Sequence, residues 1–387
     1  MSLRASWVTG SAGSLFDVHN LPYGVFSRGG GGRRVGVAIG AHVLDLSEAC
    51  TALGSPHAGL FAVGTLDPLL AAGPATWRAQ RAELTDWLTD PRTANRLTPH
   101  LVPVADVDLH LPFTVADYVD FYASEQHATN LGRLFRPGQE PLPTAWRHLP
   151  IGYHGRSGTV VVSGSPVPRP HGQRWAGEPG GRVVVAPTAR LDVEVEVGFV
   201  VGVGSELGTP VPTGAFADHV FGIVLLNDWS ARDIQSYEYV PLGPFLGKSF
   251  ATSISPWVVP LAALDRVPAP VQDPPVAAYL ETEGDWGLDL TLSLVRNGEE
   301  VSRPPFAGMY WTGPQMLAHL TANGASLRTG DLFASGTVSG DEVDQRGSFI
   351  ELSWNKEFLA DGDVVAISAT TASGRYLGEV TGRVLPS

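Results

Sequence analysis

The 387-residue chain carries 39 acidic against 26 basic side chains, a net charge of −13, and no basic cluster on a predicted helix, which argues against a nucleic-acid partner. One cysteine, Cys50, excludes an intrachain disulfide; no apolar run reaches the roughly eighteen residues needed to cross a bilayer and no signal pattern opens the chain, so a soluble, cytoplasmic protein without a membrane partner is expected. An apolar fraction of 43% with 45 glycines and 31 prolines predicts a folded, mainly β chain with many tight turns, long enough for two domains.

Residues 1–112 read as a small β-rich domain. Arg28-Gly29-Gly30-Gly31-Gly32-Arg33-Arg34 is a hairpin loop before the strand Val35–Ile39; no Lys-Ser/Thr pair follows the glycines, so a phosphate loop is the poorer reading. Ala75–Asp90, with Trp77, Leu84, Trp87 and Leu88, is predicted as an amphipathic helix that Pro74 helps to start.

The second domain, residues 113–387, begins after Asp106–Pro112. A helix carrying Asp120, Tyr122 and His127 is predicted over Val115–Asn130, and Asp120 and His127, seven positions apart, would share one face of it. Residues 138–150 read as irregular, Gly152–Ser157 as a loop that either wraps a ligand or is a solvated turn, and Pro166–Gly180 as a mobile surface excursion.

Leu191–Val197 alternates, which places Asp192, Glu194 and Glu196 on one strand face and Val193, Val195 and Val197 on the other. The plain reading is a half-buried strand with a wet acidic face. The sharper reading has Glu194 and Glu196 converge on a third acid, Asp228, at the end of the apolar run Val220–Leu226. Two carboxylates about 4 Å apart repel by about 4 kcal/mol at an effective dielectric of 20, so a divalent cation or a proton must then offset the charge. An oxygen-only set suits Mg²⁺ or Ca²⁺ rather than zinc, and neither Cys-x-x-Cys nor His-Glu-x-x-His occurs. Beyond Asp228, Arg232 and Gln235 share a face if the turn is helical, and Gly243–Ser249 fails as a nucleotide loop because three residues, one of them Pro244, separate its glycines. Lys248 fits better beside the acids.

Strands are predicted at Ser255–Pro260, Leu288–Val295, Asp331–Thr337, Ser348–Trp354, Asp363–Ala369 and Tyr376–Val380, with a hairpin turn at Arg296–Glu299 and a helix over Tyr310–Ala322 stopped by Asn323-Gly324. Glu351, in a predicted strand, would matter if it met and oriented a histidine.

Six segments in order resemble the fumarylacetoacetate hydrolase family: Asp120–Asn130, His148–Arg156, Leu191–Glu196, Asn227–Gln235, Pro241–Ser249 and Ser335–Thr337. The resemblance implies an SH3-like N-terminal barrel joined to a larger mixed β-roll, a homodimer, and hydrolysis of a carbon–carbon bond in a small diketo acid with Mg²⁺ and/or Ca²⁺. By the same resemblance the metal ligands fall on Asp120, Glu194, Glu196 and Asp228, with Lys248 and Thr252 also near the cation; His127 takes the general-base position and Glu351 its partner; Arg232, Gln235 and Lys248 polarise the carbonyl; Tyr122, Arg136, Tyr153, Tyr239 and Thr337 contact substrate. Two departures from the family's vertebrate members are Glu125, in place of a basic residue, and Ala251, in place of a glycine near the oxyanion groups. Sister chemistry on an acylpyruvate or another 1,3-diketo acid, or its decarboxylation, is the nearest competing reading; a metal-clipped structural protein, from a different class, would lose stability on chelation without turning over a diketone.

Overall fold

The computed structural model describes residues 5–387. Near the N-terminus, β1 (Tyr23–Ser27), β2 (Arg34–Ile39), β3 (His42–Asp45) and β4 (Leu101–Pro103) pair antiparallel in the order β4-β3-β2-β1, and β5 (Asp108–His110) lies on the far side of β1. Only Val104–Val107 separates β4 from β5 in sequence. That link reaches at most about 18 Å, whereas a flat ribbon of this order would hold the two strands about 19 Å apart. The ribbon therefore curls, around Phe26, Ala38, Val43 and the incoming Trp257. No ladder joins β4 to β5 among the described residues, so the SH3-like unit is an open curl rather than a closed barrel. Its outer side is more helical than composition suggested, and the predicted helix is found at Gly73–Thr89 with Trp77, Leu84 and Leu88 buried.

The N-terminal residues are not a free-standing sheet. β1 also pairs with Trp257–Pro260, and from there one sheet of 13 strands continues through Val220–Asp228, Val195–Val201, Leu332–Ala334, Tyr118–Phe121 and Gly152–His154. A second, five-stranded sheet holds Leu290–Arg296, Val364–Thr371 and Tyr376–Leu385. Its hairpin turns at Asn297 and Gly298, both at positive φ (53° and 86°), as an Asn-Gly turn requires. The main core, with Trp146, Trp229 and Trp311 fully buried, fills the space beneath the acid-bearing strands.

Several predicted elements differ. Val115–Asn130 is not one helix: Tyr118–Phe121 is a strand between two partners, and a helix begins at Glu125, where the Ser124 hydroxyl accepts the His127 amide at 3.2 Å. Asp120 and His127 therefore lie on different elements and are not related by helical spacing. Gly152–His154 is an edge strand. The Pro166–Gly180 excursion contributes His171–Trp175, paired with Val183–Pro187 and packed on the helix Arg232–Glu238 through Trp175 against Tyr237. Ser348–Trp354 is not a strand but a turn of helix, Phe349–Leu352. The acidic face of Leu191–Val197 is not wet, because Asp192, Glu194 and Glu196 are all buried and the strand breaks at residues 193–194.

Candidate active site

Strand register brings the acids together. Glu196 pairs across from Leu226 and Val195 from Asn227, so Asp228 lies one step beyond that ladder, diagonal to Glu196 on the same face, while Asp120 arrives two strands from Glu196, opposite Ala334. Glu194 sits in the break of its strand, its amide donating to Asn227 Oδ1 at 3.2 Å and its carbonyl accepting the Asp228 amide at 3.3 Å. One oxygen from each of Asp120, Glu194, Glu196 and Asp228 lies within 4.8 Å of the others, and all four residues are buried.

Two of these carboxylates are well supplied with donors. Lys248 Nζ bonds Glu194 and lies 2.9 Å from Asp228 Oδ2, Arg232 Nη1 lies 2.6 Å from Glu194 Oε1, and Asp228 also accepts from Thr252 Oγ1 at 2.8 Å and the Tyr153 hydroxyl at 2.9 Å. Burial alone would raise the Glu194 pKa; Lys248 and Arg232 outweigh it and hold the group well below the usual range. Asp120 Oδ1 and both oxygens of Glu196 have no partner. Burial, reinforced by Asp228 at Asp120 and by Asp120 at Glu196, pushes both pKa values far up. Buried acceptors without donors mark a missing positive group. An all-oxygen set of this kind fits a hard divalent cation.

Beside the acids stands an imidazole–carboxylate pair. His127 Nδ1 lies 2.6 Å from Glu351 Oε2, and Glu351 also accepts from Asn130 Nδ2 at 3.0 Å, Ser339 Oγ at 3.0 Å and Ser348 Oγ at 2.7 Å. Burial would raise the Glu351 carboxyl, but His127 and these donors bring it down to about 2. With Nδ1 committed, Nε2 is the nitrogen left to carry a proton. Tyr122 packs edge-on to the ring at 5.4 Å between centroids, and Asp192 joins pair and cluster, accepting both from Arg232, which holds Glu194, and from the Phe349 and Ile350 amides beside Glu351.

Gln235 Oε1 lies 3.4 Å from Arg232 Nη1, and Arg232 Nη2 is buried without a partner. Thr337 is buried with a partnerless hydroxyl. A cavity of about 170 Å³ opens against Asp228, Lys248 and Thr252, lined also by Tyr118 and Tyr153, with Phe245 at its edge. His154 and Arg156 line it too, so the Gly152–Ser157 segment does border a pocket. Arg136 and Tyr239 stand apart from the acids and His127 in their bonding: Arg136 Nη2 donates to the Pro141 carbonyl, and Tyr239 is 41% exposed, as Val240 and Leu242 next to it in sequence also are exposed. Glu125 pairs with Arg147 instead of facing the acids.

Sequence reasoning missed Asn130, Ser339 and Ser348 as the donors that hold Glu351. A signal was available in Ser348-Phe349-Ile350-Glu351, whose Ser-x-x-Glu spacing marks a helix start rather than a strand.

Residues 19–112 match the family signature described as fumarylacetoacetase N-terminal, and residues 117–385 that described as fumarylacetoacetate (FAA) hydrolase C-terminal. The chain belongs to the fumarylacetoacetate hydrolase family. Among family members, it is 44% identical to fumarylacetoacetase of Homo sapiens over 99% of each chain, 42% to that of Caenorhabditis elegans over 99% of each, and 40% to that of Arabidopsis thaliana over the whole of both. A solved fumarylacetoacetate hydrolase from Exiguobacterium antarcticum superposes with a TM-score of 0.61 at 18% identity, covering 95% of this chain and 100% of the other, which shows the shared fold.

Proposed function

We propose that this member of the fumarylacetoacetate hydrolase family cleaves the carbon–carbon bond of 4-fumarylacetoacetate with water, giving fumarate and acetoacetate, the last step of tyrosine and phenylalanine breakdown. The relatives named fumarylacetoacetase, 40–44% identical along the full chain, support the substrate. The observation that carries the reading is a bonded His127–Glu351 pair beside four buried carboxylates, two of which, Asp120 and Glu196, have oxygens that meet no donor.

His127 Nε2, oriented through Nδ1 by Glu351, takes a proton from water. The hydroxide so formed adds to the carbonyl carbon on the fumaryl side. Arg232 Nη2, Gln235 and the remaining Lys248 N–H donate to the oxyanion; one such donor is worth about 3 to 4 kcal/mol in the best-studied case. The carbon–carbon bond then breaks with its electron pair passing to the acetoacetate methylene carbon, which recovers the proton from the His127 imidazolium. Tyr122, Arg136, Tyr153, Tyr239 and Thr337 would contact the substrate. Asp120, Glu194, Glu196 and Asp228 would hold Mg²⁺ and/or Ca²⁺, with Lys248 and Thr252 beside it. When bound, the cation supplies a Lewis acid for the diketone oxygens.

The same reading takes the protein as a cytoplasmic homodimer acting on a small diketo acid, without nucleic-acid or membrane partners; light scattering on the purified chain checks the assembly. Among the described residues no helix is long and apolar enough to cross a membrane. Spectrophotometric turnover of fumarylacetoacetate, with and without chelator and beside fumarylpyruvate and acylpyruvates, tests the function. Cation-dependent loss of fumarylacetoacetate is expected; faster turnover of an acylpyruvate would replace the substrate, and no diketone turnover would remove the hydrolase.

A further inference from the structure

Asp192 stands outside the four-acid cluster and has no part in the reaction just described, yet it is fully buried and touches two of that reaction's supports. Its Oδ2 accepts from Arg232 Nε at 2.8 Å and from the Ile350 amide at 3.2 Å; its Oδ1 accepts from the Phe349 amide at 2.8 Å and the Val193 amide at 2.9 Å. Phe349 and Ile350 open the helical turn that presents Glu351 to His127. Arg232 is the residue whose Nη2 is buried and free to donate.

Charge balance does not explain this arrangement, because Arg232 already has Glu194 as its counter-ion through Nη1 at 2.6 Å. A second carboxylate on Nε adds direction. The guanidinium is a rigid planar fork, so fixing Nε on one acid and Nη1 on another fixes where Nη2 points. The same carboxylate pins the amides at the start of the Glu351 turn. We propose that Asp192 is a positioning residue that sets the oxyanion donor Arg232 and the Glu351–His127 base in a common frame. The inference rests on the hydrolase reading.

A double-mutant cycle on the full-length chain with Mg²⁺ and fumarylacetoacetate tests it. Asp192→Asn puts an N–H either where Arg232 Nε and the Ile350 amide must donate or, flipped, where the Phe349 and Val193 amides must. We expect kcat to fall about a hundredfold, the scale of one lost oxyanion donor, with KM within about threefold of the unmodified chain. In an Arg232→Ala background the same change should cost less than about tenfold more, because the part of its effect that passes through Arg232 is already lost and only the part through the Glu351 turn remains. Losses that multiply, or a KM effect without a kcat effect, would overturn the proposal. Should Asp192→Asn prove insoluble, Arg232→Lys carries the test, since an ammonium keeps the charge but cannot bond Asp192 and Glu194 in the same fixed plane. Its kcat should match that of Arg232→Ala within about threefold; an Arg232→Lys chain that keeps more than about a tenth of normal kcat would show that charge suffices and would refute positioning. No turnover by the unmodified chain would remove the reaction and Asp192's part in it together, whereas an active chain with multiplying losses removes only the latter.

Discussion

Glu351 and Glu196 are both glutamates with no measurable exposure, yet Glu351 accepts from His127, Asn130, Ser339 and Ser348 while neither oxygen of Glu196 meets a donor. Burial works on both in the same direction. At Glu351 the histidine and three neutral donors overcome it and leave the carboxyl at about 2; at Glu196 the neighbouring Asp120 adds to it and the pKa climbs far above the ordinary value. One half of the site is thus complete when the chain folds, and the other is short of positive charge until something binds. Their difference separates what folding supplies from what a ligand must supply.

The complete half should break most sharply at the imidazole. His127→Gln keeps a polar side chain in the pocket but cannot cycle a proton, so kcat should fall about a hundredfold or more while circular dichroism and thermal midpoint stay near those of the unmodified chain. Turnover near normal would take His127 out of the reaction.

Next comes the stability held by Glu351. Its folded pKa of about 2 lies below its unfolded value, so it contributes stability that is fully present above about pH 4.5 and is lost as pH falls through about 2. A shift of this size corresponds to about 3 kcal/mol. Glu351→Gln should therefore lower the urea midpoint at neutral pH, and the gap to the unmodified chain should narrow steadily from pH 5 down to pH 3. A gap independent of pH would mean that the loss is one of packing and that Glu351 is not held as a carboxylate.

The completed and uncompleted halves were not equally visible in the sequence. Alternation through Leu191–Val197 and an acid ending the apolar run Val220–Leu226 mark Glu194, Glu196 and Asp228 as candidates, because a strand's period of two and a charged strand end are local signals, whereas the burial of the acidic face is not. Asp120 reads as helical in sequence, since Val119 and Phe121 do not distinguish a short strand from a helical turn when the partners, Leu332–Ala334 and Gly152–His154, are some 30 to 200 residues away in sequence. The pairing of Glu351 with His127 spans 224 residues and no periodicity reports it; only the family resemblance joined them. The curl of the N-terminal strands escaped for a related reason, because it follows from which strands border the ribbon and not from any one of them. Asp192 looked like a third member of an acidic face, and its partner Arg232, 40 residues on, was needed to separate it from the others.

The uncompleted half predicts the opposite sign. Glu196 has a folded pKa above its unfolded one, so in chelated protein its contribution is favourable below the unfolded value and is lost as pH rises through the folded pKa. Glu196→Gln should raise the thermal midpoint of the chelated chain, more at pH 8 than at pH 5, by about 1 to 2 kcal/mol of relieved repulsion. The same substitution should shrink the rise in midpoint that Mg²⁺ or Ca²⁺ gives the unmodified chain, a rise that itself grows with pH as binding displaces protons. If Glu196→Gln instead lowered the chelated midpoint, the carboxylates would be satisfied without a cation and the contrast with Glu351 would collapse.

Tyr153→Phe should have the smallest effect, and it locates the border between the two halves. The Tyr153 hydroxyl donates to Asp228 Oδ2 at 2.9 Å, but that oxygen also has Lys248 Nζ at 2.9 Å and the other oxygen has Thr252. Asp228 therefore belongs with the supplied acids by its hydrogen bonds, although burial still holds its pKa above the ordinary carboxylate value, as at the deprived ones. Losing one donor of three should cost about 1 kcal/mol, or roughly fivefold in cation affinity measured by calorimetry, with chelated stability almost unchanged because Lys248 remains. A much larger loss of affinity would mean that the hydroxyl orients Asp228 for the ion rather than merely sharing its charge. A loss confined to KM would assign Tyr153 to the substrate in the adjoining cavity instead.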